Sequence, residues 1–199
     1  MRKAMIHLKN ADPALAAIIE RVGAFRMNYD EPSFASLAEA IVYQQLHGKA
    51  AATIFKRVTD LAGLPLTPQG ILKLSEAQLR GAGLSKQKLS YLRDLAEKTR
   101  LGEVQFERFS ELSDEDVIAQ LTQIKGIGRW TAQMFLMFSL RRPNVLPTGD
   151  LGIQMAIRKL YRKRKLPKPA QMEKIARAWE PYRSVACWYL WRSMDMKTL

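Results

Sequence analysis

Apolar residues recur at three- and four-residue spacing along most of the chain, and no strand-length alternation with matching turn chemistry interrupts them. The periodicity predicts an all-α fold. Asp12-Pro13 opens a helix with proline in its first turn, Leu15, Ile18, Ile19 and Val22 follow along it, and Gly23 closes it. Residues 24–33 read as a loop. Ser33 then caps an amphipathic run to about Leu61, with Leu37, Ile41, Leu46, Ile54 and Val58 as buried candidates and a break or kink at Gln44-Gln45-Leu46-His47-Gly48. Short helices follow at 68–74 and 75–81. A glycine turn, Gly81-Ala82-Gly83-Leu84-Ser85, leads into a helix from Lys86 to Thr99, and residues 101–113 form a connector with one short helix.

The pattern changes after Ser113. Ser113-x-x-Asp116 resembles a capping box with Asp in the Glu/Gln position. Apolar positions run from Val117 to Ile124, stop at Gly126-Ile127-Gly128, and resume from Trp130 to Leu140. Two glycines around one aliphatic residue let the backbone turn sharply and pass close to a partner, because neither carries a Cβ. Ile127 between them points inward and pins the two helices. The amides of Gly126, Gly128 and Arg129 stand at the start of the second helix, where unpaired N–H groups and the helix dipole favour an anion such as a phosphate. A ligand-free connector is the plainer reading of the same glycines. Pro147-Thr148-Gly149-Asp150 precedes a helix from Leu151 to Tyr161, the basic loop Arg162-Lys163-Arg164-Lys165 comes next, and helices at Ala170–Trp179 and Tyr182–Met194 end the reading.

Charge adds a partner to this picture. Lys and Arg number 32 against 19 acidic residues, giving +13 and a pI near 10.0, which favours polyanions. Anionic membrane competes for that role, but no segment approaches the roughly 20 apolar residues of a spanning helix. Residues 1–10 lack the apolar region of a signal peptide, so the cytoplasm, beside the nucleoid in a bacterium, is the expected compartment. The single cysteine, Cys187, excludes an internal disulfide and a four-cysteine iron–sulfur cluster. Neither histidine has neighbours at metal-ligand spacing.

Leu121–Ala132, with Lys125-Gly126-Ile127-Gly128 at its centre and Asp150 lying 22 residues past the second glycine, resembles the helix-hairpin-helix DNA glycosylase superfamily. The likeness extends over most of the chain and is closest to the 3-methyladenine DNA glycosylase II branch of AlkA- and Mag-like proteins. It implies two helical lobes, about 34–140 with the hairpin at 117–140, and the N-terminal helix with about 141–199, around a DNA- and base-binding cleft. It also implies a partner, double-stranded DNA with one damaged base, bound by a monomer.

The resemblance makes Asp150 the catalytic carboxylate, stabilising an oxocarbenium-like sugar and orienting water. An ordinary N-cap is the alternative for that residue. Trp130 occupies the place where lyase relatives carry a Schiff-base lysine, so a monofunctional enzyme that leaves an abasic site is expected. Trp130, Trp191 and Tyr43 are the implied base pocket, indole faces suiting a cationic alkylated purine; core packing is the alternative for Trp130, and Trp188 rivals Trp191. Gln45, Leu46 and His47 are implied as the wedge that fills the gap left by the flipped nucleotide. Lys125, Gly126, Gly128, Arg129 and Thr131, with Ser85 and Lys86, are the implied DNA contacts. No cofactor is expected beyond an alkali cation, Na+ or K+, held by the carbonyls of Thr122, Ile124 and Ile127. The Arg162–Lys165 run is either an electrostatic footprint or a solvated loop. Excision of an oxidised or mismatched base, or a non-catalytic DNA-binding module, are the alternatives to alkylpurine excision.

Overall fold

The computed structural model describes residues 1–195, which hold twelve α-helices, two short 3-10 turns and no strand. In chain order the helices are α1 (Arg2–Ala11), α2 (Pro13–Val22), α3 (Phe34–Tyr43), α4 (Gly48–Ala62), α5 (Pro68–Lys73), α6 (Glu76–Gly81), α7 (Lys86–Arg100), α8 (Asp114–Thr122), α9 (Arg129–Phe138), α10 (Leu151–Leu160), α11 (Pro169–Ala176) and α12 (Arg183–Asp195). Among the described residues no helix is long and apolar enough to cross a membrane. The chain divides into two compact units, Asp30–Leu140 and Met1–Tyr29 with Arg141–Leu199.

In the unit of residues 30–140, α7 is the central beam, with α3, α5 and α6 packed along it and α8 against α9. Its apolar face supplies Leu92 and Leu95, fully buried with Leu37 and Ile41 of α3 and Ile71 of α5. Burial of each such side chain stabilises the fold by about 1.5–3 kcal/mol. Ser33, Thr67, Ser75, Ser85 and Ser113 each accept an amide of the following helix, so five of the seven helices start on a side-chain cap. Phe106, Phe109 and Phe135 meet edge to face beneath α9.

In the other unit, α12 lies against α2 and α10, and α1 against α2. The last helix is buried almost all round, from Ser184 to Leu190. Asp12 is 8% exposed and caps α2 through the amides of Ala14 and Leu15. The same carboxylate receives the Trp179 indole N–H at 2.8 Å and the Tyr161 hydroxyl. Burial first, then this bond and the Asp12 charge, push the Tyr161 phenol well up from its usual value.

Some elements depart from the sequence pattern. The periodicity does not announce α1, because only Ala4 and Leu8 of its ten residues are buried. Leu46 is 40% exposed rather than core, since the chain leaves the helix at Gln44 and turns outward. The Ser113–Asp116 pair makes half a capping box: Ser113 accepts the Asp116 amide, but the Asp116 carboxylate takes the serine hydroxyl instead of a backbone N–H. The predicted Ala170–Trp179 helix stops at Ala176 and tightens into a 3-10 turn over Arg177–Trp179.

Candidate active site and nucleic-acid interface

Within residues 30–140 the hairpin joins α8 to α9. Gly126 adopts φ +80, and a β-carbon there would lie 2.1 Å from Cδ2 of Tyr91, so the turn rests its backbone directly on an aromatic ring. Ile127 between the glycines is buried, and its amide closes the turn on the Ile124 carbonyl at 3.0 Å. Gly128 is the N-cap of α9 and supplies no side chain to its first-turn amides. They lie at the positive end of the dipole of a ten-residue helix.

Residues that the sequence pattern does not single out hold this turn. Asp94 of α7 accepts the Lys125 amide at 2.8 Å and has the Lys125 ammonium 3.7 Å away. Gln44 donates from Nε2 to the Gly126 carbonyl at 3.0 Å, tying the end of α3 to the hairpin. Lys88 donates to the Val42 carbonyl at 2.6 Å, in the last turn of α3, and desolvation lowers its ammonium below the usual lysine value. Between these ties Gln45 takes a left-handed φ of +56, uncommon for a residue with a side chain, and Gln45, Leu46 and His47 stand exposed. The turn is braced at its base and bare at its tip.

Next to it lies a cleft of about 960 Å3 within the same unit, lined by Tyr43, Gln45, Tyr91, Trp130, Thr131 and Lys88 among others. Trp130 is 48% exposed, so it is a wall and not core. Burial, the Glu39 charge and a hydrogen bond to Glu39 push the Tyr43 phenol up, keeping it a neutral hydroxyl. Ser85 also lines the cleft, but its hydroxyl accepts the Lys88 amide as the α7 cap. Lys86 is exposed. The exposed Arg129 guanidinium pairs bidentately with Glu115 of α8, at 2.9 and 2.5 Å. That pair lowers the Glu115 carboxyl from its usual range and raises Arg129.

Within the other unit Asp150 is the N-cap of α10 and 8% exposed. Its Oδ1 accepts the Ile153 amide at 2.8 Å and the Trp191 indole N–H at 3.0 Å. Two donors on one oxygen fix the plane and direction of the carboxylate. A β-carbon on Gly152 would come within 3.1 Å of that oxygen and 3.2 Å of the Trp191 ring, so glycine leaves room for the pair. Buried Cys187 is pushed up by desolvation and by the Asp150 charge. Trp188, the rival of Trp191, is core: it packs on Phe25 and Tyr189 and is 5% exposed. Asp150 is thus the N-cap that its place before α10 predicts.

Residues 38–181 match the HhH-GPD superfamily of base excision DNA repair proteins. The chain belongs to that superfamily. It is 38% identical to DNA-3-methyladenine glycosylase 1 of Schizosaccharomyces pombe, over 98% of this chain and 89% of the relative. The solved S. pombe 3-methyladenine DNA glycosylase (Mag1), in complex with abasic DNA, superposes with a TM-score of 0.83 over 98% of this chain and 97% of that one, at 38% identity. A DNA-3-methyladenine glycosidase from Bacillus halodurans gives 0.88 over 96% and 88%, also at 38% identity.

Proposed function

We propose that this member of the HhH-GPD superfamily is a monofunctional DNA glycosylase that flips an alkylated purine, of the 3-methyladenine or 7-methylguanine type, out of duplex DNA and hydrolyses its N-glycosidic bond. The observation that carries the reading is Asp150, a nearly buried carboxylate whose direction is fixed by the Ile153 amide and the Trp191 indole. A carboxylate so held stabilises the positive charge that develops on the sugar as the C1′–N bond breaks, and it orients the attacking water. The purine carries its own positive charge, so it departs without a strong general acid. Trp130 at the position of a lyase lysine leaves no amine there for a Schiff base, and the product is an abasic site. Trp130 and Tyr43, on the wall of the cleft in residues 30–140, offer aromatic faces to a cationic base, and Trp191 offers its own beside Asp150; each such contact contributes up to about 2 kcal/mol when desolvated.

The backbone at Gly126, Gly128, Arg129 and Thr131 and the exposed Lys125 and Lys86 take phosphates of the lesion-containing duplex, and Gln45, Leu46 and His47 fill the vacated stack. The carbonyls of Thr122, Ile124 and Ile127 suit an alkali cation by chemistry: all are neutral oxygens, and Ile124 keeps a second lone pair after accepting the Ile127 amide. Bound there, Na+ or K+ supplies positive charge toward a phosphate. Action on one extruded base needs no second subunit, and a DNA substrate fits an intracellular enzyme, beside the nucleoid if the cell is bacterial.

The test is chromatography of the bases released from methylated duplex DNA by the native protein and by Asp150→Asn. Asparagine also caps helices, so the fold is retained. Release is expected to fall by about 100- to 1,000-fold, the scale of losing one transition-state charge contact, while duplex binding persists. A native protein that frees no methylated purine, or an Asp150→Asn protein as active as the parent, refutes the reading.

A further inference from the structure

From Leu151 to Gln171 the chain contains no acidic residue but seven Lys and Arg. Such a bias is unlike the rest of the surface. In residues 30–140 six cations, from Lys56 to Arg129, are paired with carboxylates. Arg158, Lys159, Arg162, Lys163 and Arg164 have no ion pair among the described residues, and together they line one depression of about 460 Å3. Met155 and Met194 complete its lining.

The cluster is built and not merely a solvated run. Tyr161, the C-cap of α10, is held by its bond to buried Asp12. Arg162 takes a left-handed φ of +50, and the Lys163 amide returns to the Arg158 carbonyl at 2.9 Å. This tight turn brings the loop cations back beside those of the last helical turn. Two of them, Arg158 and Lys159, also face the negative end of the α10 dipole, which offsets part of the repulsion. The rest of that repulsion is unrelieved until an anion arrives.

We propose that this depression is a second DNA-binding surface, one that holds the phosphates of undamaged duplex without regard to sequence or lesion. It rests on the glycosylase reading only in taking DNA as the polyanion. Asp150 and the cluster stand at opposite ends of α10, about 15 Å apart at 1.5 Å per residue. A nucleoside above Asp150 is therefore out of reach of these side chains. The phosphates they take belong to flanking or separate duplex, and their use is retention and search rather than excision.

The experiment compares the native protein with Arg158→Gln/Lys163→Gln/Arg164→Gln on a 40-base-pair undamaged duplex, titrated across salt concentrations, and on a methylated duplex of about a dozen base pairs in single turnover at saturation. Each phosphate contact contributes about 0.9 to the slope of log affinity against log salt, so the slope is expected to shrink by about 2–3. Base release from the saturated short duplex is expected to stay within twofold. Arg158→Lys/Arg164→Lys keeps the charges and should keep the slope. An unchanged slope in the triple variant overturns the proposal. So does loss of binding to vesicles rich in phosphatidylserine with the DNA slope intact. Base release by the native protein is scored separately, so failure of the patch and failure of the glycosylase reading give different results.

Discussion

Residues 30–140 carry 13 Lys and Arg against 13 Asp and Glu, whereas residues 1–29 with 141–199 carry 19 against 6. The whole excess of +13 thus belongs to the unit that holds Asp150, and the unit with the hairpin is electroneutral. The unit with the hairpin therefore carries no net charge to attract a polyanion. What it offers is backbone geometry: amides at the start of α9, a glycine pressed on Tyr91, and a lysine amide anchored by Asp94. On the proposed function, long-range attraction would come from the other unit and short-range register from this one. Net charge alone therefore points to a partner but not to the surface that positions it.

The sharpest way to break this division is Gly126→Ala. A methyl at φ +80 and 2.1 Å from the Tyr91 ring displaces the turn or the ring. The strain is about 1–3 kcal/mol for the backbone, with further cost from overpacking. Duplex affinity is expected to fall by about 100-fold, measured by fluorescence anisotropy, because strain of that size and displaced amides act together. Lys125→Ala should cost less than about threefold, since an exposed amine beside Asp94 adds little. A Gly126→Ala protein that binds like the parent, or a Lys125→Ala protein that does not, reverses the assignment of backbone over charge.

The next test concerns the cationic unit. Gly152→Ala places a methyl 3.1 Å from Asp150 Oδ1 and 3.2 Å from Trp191, and α10 otherwise gains helix propensity from the change. The expected outcome is base release slowed by about 10-fold or more with melting temperature unchanged or raised, since misplacing a catalytic group by a fraction of an ångström affects rate more than stability. Trp191→Phe, which removes the 3.0 Å indole bond but keeps the ring, should slow release by about 5- to 10-fold, the scale of one hydrogen bond to a charged group. Equal losses of stability and rate in both variants would make Trp191 a packing residue.

How much of this was legible in the sequence follows the same divide. Elements with a capping serine or a helix-start proline, such as α2, α3, α6 and α7, are placed to within a residue or two, because cap chemistry is local. The hairpin turn and the Asp150 N-cap are legible for the same reason, as glycines and a capping residue before an apolar run. Helix α1 is not, since its burial rests on two residues that only tertiary packing selects. Asp94, Tyr91, Lys88 and Gln44 escaped as well: each acts on the hairpin or the α3 end from 31 to 82 residues away, or, for Lys88, from 46, a separation that no local pattern encodes. The Arg129–Glu115 pair, 14 residues apart across the hairpin, escaped in the same way.

The cationic unit also contains its own control for Asp150. Asp12 and Asp150 are both 8% exposed, both cap a helix, and both receive an indole N–H, from Trp179 and Trp191. They differ in surroundings: Trp179 is fully buried, whereas Trp191 is partly exposed, and Asp12 also receives the Tyr161 hydroxyl. Asp12 is thereby a structural carboxylate, and its bond to Tyr161 makes a pH prediction. The Tyr161 phenol is raised in the folded protein by burial and by Asp12, from 10.0 in the unfolded chain. The folded state thus keeps that proton to higher pH than the unfolded state does. Its contribution to stability is complete below about pH 10 and declines as pH rises beyond it. Tyr161→Phe should cost about 1–3 kcal/mol at pH 7, where buried Asp12 loses a donor, and the gap from the native protein should narrow above pH 10 because only the native protein has this proton to lose. Urea unfolding at pH 7, 10 and 11 reads both quantities, and the other buried tyrosine, Tyr189, titrates alike in the two proteins and cancels. A gap that stays constant or widens with pH would mean that the phenol is not tied to Asp12 in solution.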